Sequence, residues 1–272
     1  MEHSRKWFVG WAIGIVTAIV LFSLAALTMG RYEITLGQIW SVFFPKAGQE
    51  VSGTVENVVL NVRLPRIGLA LLAGAGLSSA GGAFQALFAN PLATPDTLGV
   101  ATGASFGAVL AILFGWPSMA IQTSALAAGL LAVALVYMVS RPKKGGGRAS
   151  VVMIVLAGMV VGSLFSALVS LVKYAADPQD VLPTITFWLM GSLSSTTKET
   201  LVLGAPFILA GMALLFLFRW KLNAMTLSEE EAISLGISVK KIRAVVVLAA
   251  AMITASVVSM CGLIGWVGLL IP

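Results

Sequence analysis

Long apolar segments constrain this chain more than any other feature of its sequence. Each comes close to the roughly 20 residues that a helix needs to cross about 30 Å of hydrocarbon. Only 10% of the 272 residues are charged and 58% are hydrophobic, which excludes an ordinary soluble domain. We identify seven such segments, which predict an all-α polytopic membrane protein: residues 7–29, 67–88, 97–115, 119–139, 151–172, 200–218 and 242–260.

The basic residues predict how these segments are oriented. Loops rich in Lys and Arg stay in the cytoplasm, and with a cytoplasmic N-terminus 11 of the 17 Lys and Arg residues fall on that side. Arg63 and Arg66 fall on the outer side, against this trend, which indicates a partner there. The remaining basic residues lie in separate loops rather than on one surface, so we predict no nucleic-acid partner.

The second and third segments are separated by an unusual break. Pro91 and Pro95 lie four residues apart, and because proline lacks an N–H and disfavours helix in the residue before it, we predict a loop here. Beyond the loop, Gly99, Gly103 and Gly107 recur every four residues. Such a row leaves one helix face bare, so a second helix can approach its backbone closely.

Short helices are predicted in three of the loops. The outer loop of residues 30–61 contains a candidate surface helix at 36–44, and a second outer loop contains one around 187–191. In the last cytoplasmic loop, Ser228 and Glu231 form a capping box and Gly236 is a natural stop. A helix of two turns is unstable alone, so either neighbouring parts of this chain or another protein must support it.

The apolar segments contain little chemistry. We expect no ionisable side chain inside them, and the most polar residues well inside are Gln85 and Gln122. Ion-driven carriers usually keep a charge in the membrane, so we predict no proton coupling by this chain itself. With His3 and Cys261 as the only residues of their types, we expect no metal site, no cofactor and no catalytic centre. Energy for uphill transport must come from another protein.

Several spaced motifs follow one another between residues 60 and 272. They are Arg63-Leu-Pro-Arg66, Gly74-Ala-Gly76, the stretch from Gln85 to Val100, Trp188-Leu-Met-Gly-Ser-Leu193, the stretch from Glu229 to Gly236, and the stretch from Gly262 to Pro272. Together they resemble the FecCD family, the permeases of type II ABC importers for ferric siderophores, haem and vitamin B12. The first segment and the outer loop after it fit this family only in character.

The resemblance implies an importer transmembrane domain that works by alternating access between two permease subunits, identical or paralogous. It implies ATP hydrolysis on separate ABC ATPase subunits, so that this chain is no enzyme, and delivery of the solute by an extracytoplasmic substrate-binding protein. The implied location is the bacterial cytoplasmic (inner) membrane, where the chain contacts lipid and crosses several times from a cytoplasmic N-terminus.

The resemblance also assigns roles to residues. Arg63 and Arg66 would receive the binding protein, and Asn90, Leu92 and Ser150 would form the cytoplasmic gate. The segment 151–172 would line part of the solute path. The helix that couples the permease to the ATPase would comprise Ser228, Glu229, Glu230, Glu231, Ala232, Leu235 and Gly236.

Two departures from the family pattern affect the expected domain. Trp266 stands where relatives usually have Phe, and the sequence stops at Pro272. We therefore expect one permease domain over residues 1–272, with about seven spans and a partial eighth of the family's ten, incomplete at its C-terminus. Iron chelates are the expected cargo, while cobalamin and oxyanions such as molybdate stay open. The residues also leave open a secondary carrier or channel of another fold, and a membrane-embedded enzyme or structural subunit.

Overall fold

A computed structural model describes residues 2–45, 52–140, 151–227 and 229–272. Helices and turns account for these ranges and no strand occurs within them, so the all-α prediction is confirmed. The chain forms two compact units, Met1–Gly68 and Leu69–Pro272. The helices are α1 (Glu2–Thr28), α2 (Leu36–Phe43), α3 (Gly53–Asn57), α4 (Leu64–Phe88), α5 (Val100–Leu113), α6 (Ser118–Val139), α7 (Val151–Ala175), α8 (Val181–Met190), α9 (Lys198–Leu217), α10 (Arg219–Ala224), α11 (Glu229–Ser234), α12 (Val239–Cys261) and α13 (Val267–Leu270).

Six helical stretches in the described ranges are long and apolar enough to cross a membrane, and six of the seven predicted segments overlap them almost completely. The exception is 97–115. There the chain forms a 3₁₀ turn at Pro95–Leu98, and Gly99 then takes a left-handed conformation with φ 72°. α5 therefore begins only at Val100 and has 14 residues, a length of about 21 Å, which is short for a full crossing.

The first unit corrects the extent of the outer loop. Its predicted surface helix is present as α2, which begins with a capping box between Thr35 and Gln38. Helix resumes at Gly53, however, whereas the loop was expected to reach Asn61. α3 runs through a π-helical segment, Val58–Arg63, into α4, and the whole helical stretch Gly53–Phe88 has 36 residues. The hydrophobic pattern missed its start because residues 53–57 are mostly polar or small.

In the second unit, α12 occupies the centre and packs against α5, α6 and α9. Arg243 corrects the expectation of spans without ionisable side chains. Arg243 is the second residue of the predicted segment 242–260 and lies in the second turn of α12, which begins at Val239, and its side chain is buried. The predicted polar interior is present at Gln122, whose Nε2 donates a hydrogen bond to the carbonyl of Thr200 at 2.8 Å.

The glycine row after the proline loop makes the predicted close contacts. A Cβ added to Gly107 would lie 2.4 Å from the carbonyl oxygen of Ser124 in α6, and one added to Gly103 would lie 2.9 Å from that of Ala128. Gly99 meets a different helix, because its added Cβ would lie 2.9 Å from the amide nitrogen of Gly162 in α7. The prediction of a close helix contact is confirmed, but the row contacts two helices rather than one.

Candidate functional site

The predicted coupling helix is present as α11, and its end has a defined geometry. The Gly236 amide donates to the carbonyl of Ile233 at 2.9 Å, and the Ile237 amide donates to that of Ala232 at 3.1 Å. With Gly236 at φ 76°, these two bonds form a Schellman motif, which confirms the predicted stop. The predicted N-cap, Ser228, lies outside the described residues.

The two faces of α11 have different environments. Ala232 is 1% exposed and packs in the core of the second unit, where Ile237 also packs. Leu235 on the outward side is 63% exposed, and Ile233 and Glu230 are also exposed. Of the two possible supports for this helix, neighbouring parts of this chain or another protein, the structure shows the first. The outward face of α11 remains exposed to solvent as an apolar surface beside an acidic residue.

The predicted gate residues Asn90 and Leu92 lie in one tight turn after α4. The Asn90 side chain accepts a hydrogen bond from the Leu92 amide at 2.9 Å, and the carbonyl of Asn90 accepts one from Ala93 at 3.1 Å. Leu92 is 72% exposed, whereas Ala93 and Pro95 are buried and fix the loop. The third predicted gate residue, Ser150, lies outside the described residues.

A groove of about 500 Å³ follows this turn and opens between the 3₁₀ turn, α5 and α7. Gly99 and two glycines of α7, Gly158 and Gly162, bring the backbones together beside it. Sequence reasoning missed this groove, although the four-residue spacing of the α7 glycines was a usable signal. The groove is lined by Asp96, Thr97, Gly99, Thr102, Gly158, Met159, Gly162, Ser163 and Ser166.

The predicted docking arginines sit in the first unit at the junction of the π-helical segment and α4. Arg63 is 8% exposed, and its guanidinium donates hydrogen bonds to the carbonyls of Leu27 and Tyr32. Leu27 belongs to the last turn of α1, whose carbonyls have no partner within the helix. Arg63 therefore caps α1, a role that the sequence did not indicate. Arg66, one turn later, is half-buried.

The sequence was compared with known proteins. It matches the FecCD transport family over residues 17–272. It is 39% identical over 261 residues to the molybdate import system permease protein MolB of Haemophilus influenzae, with 95% of this chain and 76% of MolB covered. It is 33% identical over 265 residues to the ferric enterobactin transport system permease protein FepD of Escherichia coli, with 95% and 76% covered.

The fold also matches a solved structure, an inward-facing ABC transporter of the metal-chelate type. The TM-score is 0.82 at 35% identity, and the match covers 95% of this chain and 78% of that one. The predicted fold class, a type II ABC importer transmembrane domain, is thereby confirmed. The alternative of a carrier or channel with another fold is excluded, because both the sequence and the helical arrangement match ABC permeases.

Proposed function

Because this chain belongs to the FecCD transport family and is an ABC permease subunit, we propose that it imports iron chelates by alternating access. As in its relatives, ATP hydrolysis belongs to separate ATPase subunits and a second permease subunit completes the path. Within this proposal, residues 1–272 act as one permease domain in the bacterial inner membrane, surrounded by lipid and with the N-terminus in the cytoplasm. An extracytoplasmic binding protein delivers the cargo.

The arrangement of α11 is the observation that supports this proposal most directly. An ATPase needs a surface that is firmly attached to the permease and still free to bind. The buried Ala232 supplies the attachment, and the exposed Ile233 and Leu235 supply an apolar contact next to Glu230. The docking helix of the proposal is the stretch from Ser228 to Gly236, with Glu229, Glu231 and Ala232 in its helical part.

The other predicted sites take the following roles. ATP-driven closure of the two ATPases moves α11, and the solute then leaves through a gate at Asn90, Leu92 and Ser150. Arg66 receives an acidic group of the binding protein. Arg63 is placed here too, although its guanidinium already binds two carbonyls of its own chain; its docking role stays a prediction.

The cargo is supported by the character of the relatives. FepD carries the name of a ferric enterobactin system, HmuU of Yersinia pestis that of a hemin system, and the solved structure is of the metal-chelate type. Molybdate is the second candidate, because the 39% identity to MolB exceeds the 33% identity to FepD.

Co-purification with the ATPase subunit tests the docking surface. Leu235→Ser should lower the amount of ATPase retained by about tenfold, since burying one leucine side chain stabilises by about 1.5–3 kcal/mol. Leu36→Ser on α2 is the matched control, because Leu36 is 64% exposed and Leu235 is 63% exposed. Glu230→Lys reverses a charge on the same surface and should also lower the amount of ATPase retained. Equal retention by the Leu235 and Leu36 variants would contradict the proposal.

A further inference from the structure

The groove beside the gate turn presents an unusual set of polar groups. Three of its hydroxyls donate their protons to backbone carbonyls: Thr97 to Thr94 at 2.7 Å, Thr102 to Gly99 at 3.0 Å and Ser163 to Met159 at 2.8 Å. A hydroxyl that donates in this way keeps its oxygen lone pairs as acceptors. These side chains therefore present acceptors to the groove.

Asp96 adds the only charge among the described residues that line the groove, and it is negative. An ionised carboxylate is also an acceptor without a donor. Asp96 is exposed to the groove, and partial desolvation raises the pKa of its carboxyl above the usual value. A solute in the groove therefore meets acceptors and one carboxylate.

The position of the groove places it next to the proposed exit. The gate turn at Asn90 and Leu92 leads through the buried Pro95 directly to Asp96. The opposite wall is formed by Met159, Ser163 and Ser166 of α7, whose side chains are exposed rather than covered by other helices of this chain. A solute that passes the gate turn along α7 comes close to Asp96.

We propose that Asp96 is a charge filter on the solute path, which favours neutral or cationic cargo rich in hydrogen-bond donors and retards oxyanions and polyanionic chelates. The proposal rests on the import function proposed above and narrows its cargo to neutral or cationic metal chelates. Acceptors cannot solvate an anion, and the carboxylate repels it. A donor-rich or positively charged solute meets the opposite conditions.

Thiol reactivity tests the filter without any transport. Cys261 is the only native cysteine and is buried, so Ser163→Cys introduces one reactive thiol in the groove of the assembled transporter. Its reaction rates are measured with a cationic trimethylammonium and an anionic sulfonate methanethiosulfonate reagent. We expect the cation-to-anion rate ratio to fall about tenfold when Asp96→Asn is added, because the charge is removed and the shape is kept.

Ser170→Cys provides the matched control on the same helix. Ser170 is exposed on α7 but does not line the groove, so Asp96→Asn should leave its rate ratio unchanged. Asp180→Asn, which removes an exposed carboxylate elsewhere, should not alter the ratio at Ser163→Cys. An unchanged ratio at Ser163→Cys in the Asp96→Asn variant overturns the filter, and an equal fall at Ser170→Cys overturns its placement in the groove.

Uptake into proteoliposomes distinguishes a failure of the filter from a failure of the proposed import function. ATP-dependent uptake of a neutral ferric trihydroxamate is compared with uptake of molybdate, and Asp96→Asn should raise the molybdate-to-chelate ratio about tenfold. If the thiol test supports the filter but the wild-type transporter takes up neither probe, the proposed import function is contradicted and the filter is not. Molybdate uptake that is faster than chelate uptake and indifferent to Asp96 overturns the filter.

Discussion

Helices α1 and α12 have equal mean hydropathy and nearly equal apolar length, yet their surroundings are opposite. None of the most apolar 18 residues in the α1 stretch Trp7–Thr28 is buried, whereas 78% of the corresponding 18 residues of α12 are buried. Hydropathy reports that both helices are suited to a membrane. It does not report which of them is surrounded by other helices of the same unit.

Side-chain size accounts for the difference. α1 exposes large side chains, among them Trp7, Phe8 and Trp11, which cover area without allowing another backbone to come near. α12 has three consecutive buried alanines at 249–251, and its buried Ser256 donates a hydrogen bond to the carbonyl of Gly204 in α9 at 2.8 Å. Small residues let helices approach closely, and hydroxyls can then bond across the contact.

Enlarging a glycine against α12 should have the largest effect. A Cβ added to Gly211 in α9 would lie 2.8 Å from the carbonyl oxygen of Ala249 and 2.6 Å from Cγ1 of Ile253. We expect Gly211→Val to destabilise the protein by about 3 kcal/mol and to lower its melting temperature in detergent. Gly10→Val in α1 is the matched control, since nothing lies within 4 Å of a Cβ at Gly10.

Equal melting temperatures for Gly211→Val and Gly10→Val would contradict the difference in packing between the two helices. Equal loss of stability would mean that α1 is as tightly surrounded as α12 in the folded protein. Retained stability in both would mean that the contact between α9 and α12 can widen freely. A monodisperse gel-filtration profile for Gly10→Val is required in either case to show that the control folds.

Removing the cap of α1 should have an intermediate effect. Arg63→Met keeps an unbranched side chain of similar length but loses the guanidinium bonds to Leu27 and Tyr32. Hydrogen bonds to a charged group contribute about 1.5–3 kcal/mol, so we expect a loss of about 2 kcal/mol confined to the first unit. Hydrogen exchange should rise at the end of α1. Unchanged exchange there, with binding-protein affinity lost, would favour docking as the main role of Arg63.

The smallest effect is expected where one hydroxyl is removed from the interior. Ser256→Ala loses the bond to Gly204 but leaves the packing of α12 intact, so it should cost about 0.6 kcal/mol. Ser23→Ala in the half-exposed part of α1 should cost nothing measurable. The two melting curves, recorded in the same detergent, sharpen the comparison because the two substitutions are chemically identical.

Local signals in the sequence predicted the elements that depend on local chemistry. Gly236 marked the end of α11 because a left-handed residue is needed there, and the prolines before Gly99 marked the break before α5. The predicted start of the second long helix, residue 67, was wrong by 14 residues, because helix begins at Gly53. Its first turns are polar, and the packing of Val55 and Val59 in the first unit stabilises them instead.

Features that depend on distant residues could not be predicted. The groove exists because Gly99 meets Gly158 and Gly162, which lie about 60 residues later in the chain. The cap on α1 joins Arg63 to a carbonyl 36 residues earlier. The hydrophobic periodicity of one segment does not indicate which distant segment it will contact. The motifs that resemble the FecCD family located the gate turn and α11 but gave no reason to single out Asp96.

The connection between α11 and α12 has a mechanical consequence. Only residues 235–238 separate the two helices, and the amides of Leu235, Gly236 and Ile237 donate hydrogen bonds to carbonyls of α11, so the connection is short and held against α11. A Cβ added to Gly211 in α9 would lie 2.8 Å from the carbonyl oxygen of Ala249 in α12, so the two backbones are in close contact. Because densely packed helices transmit strain, we expect a load applied to α11 to displace α9 and α12 together.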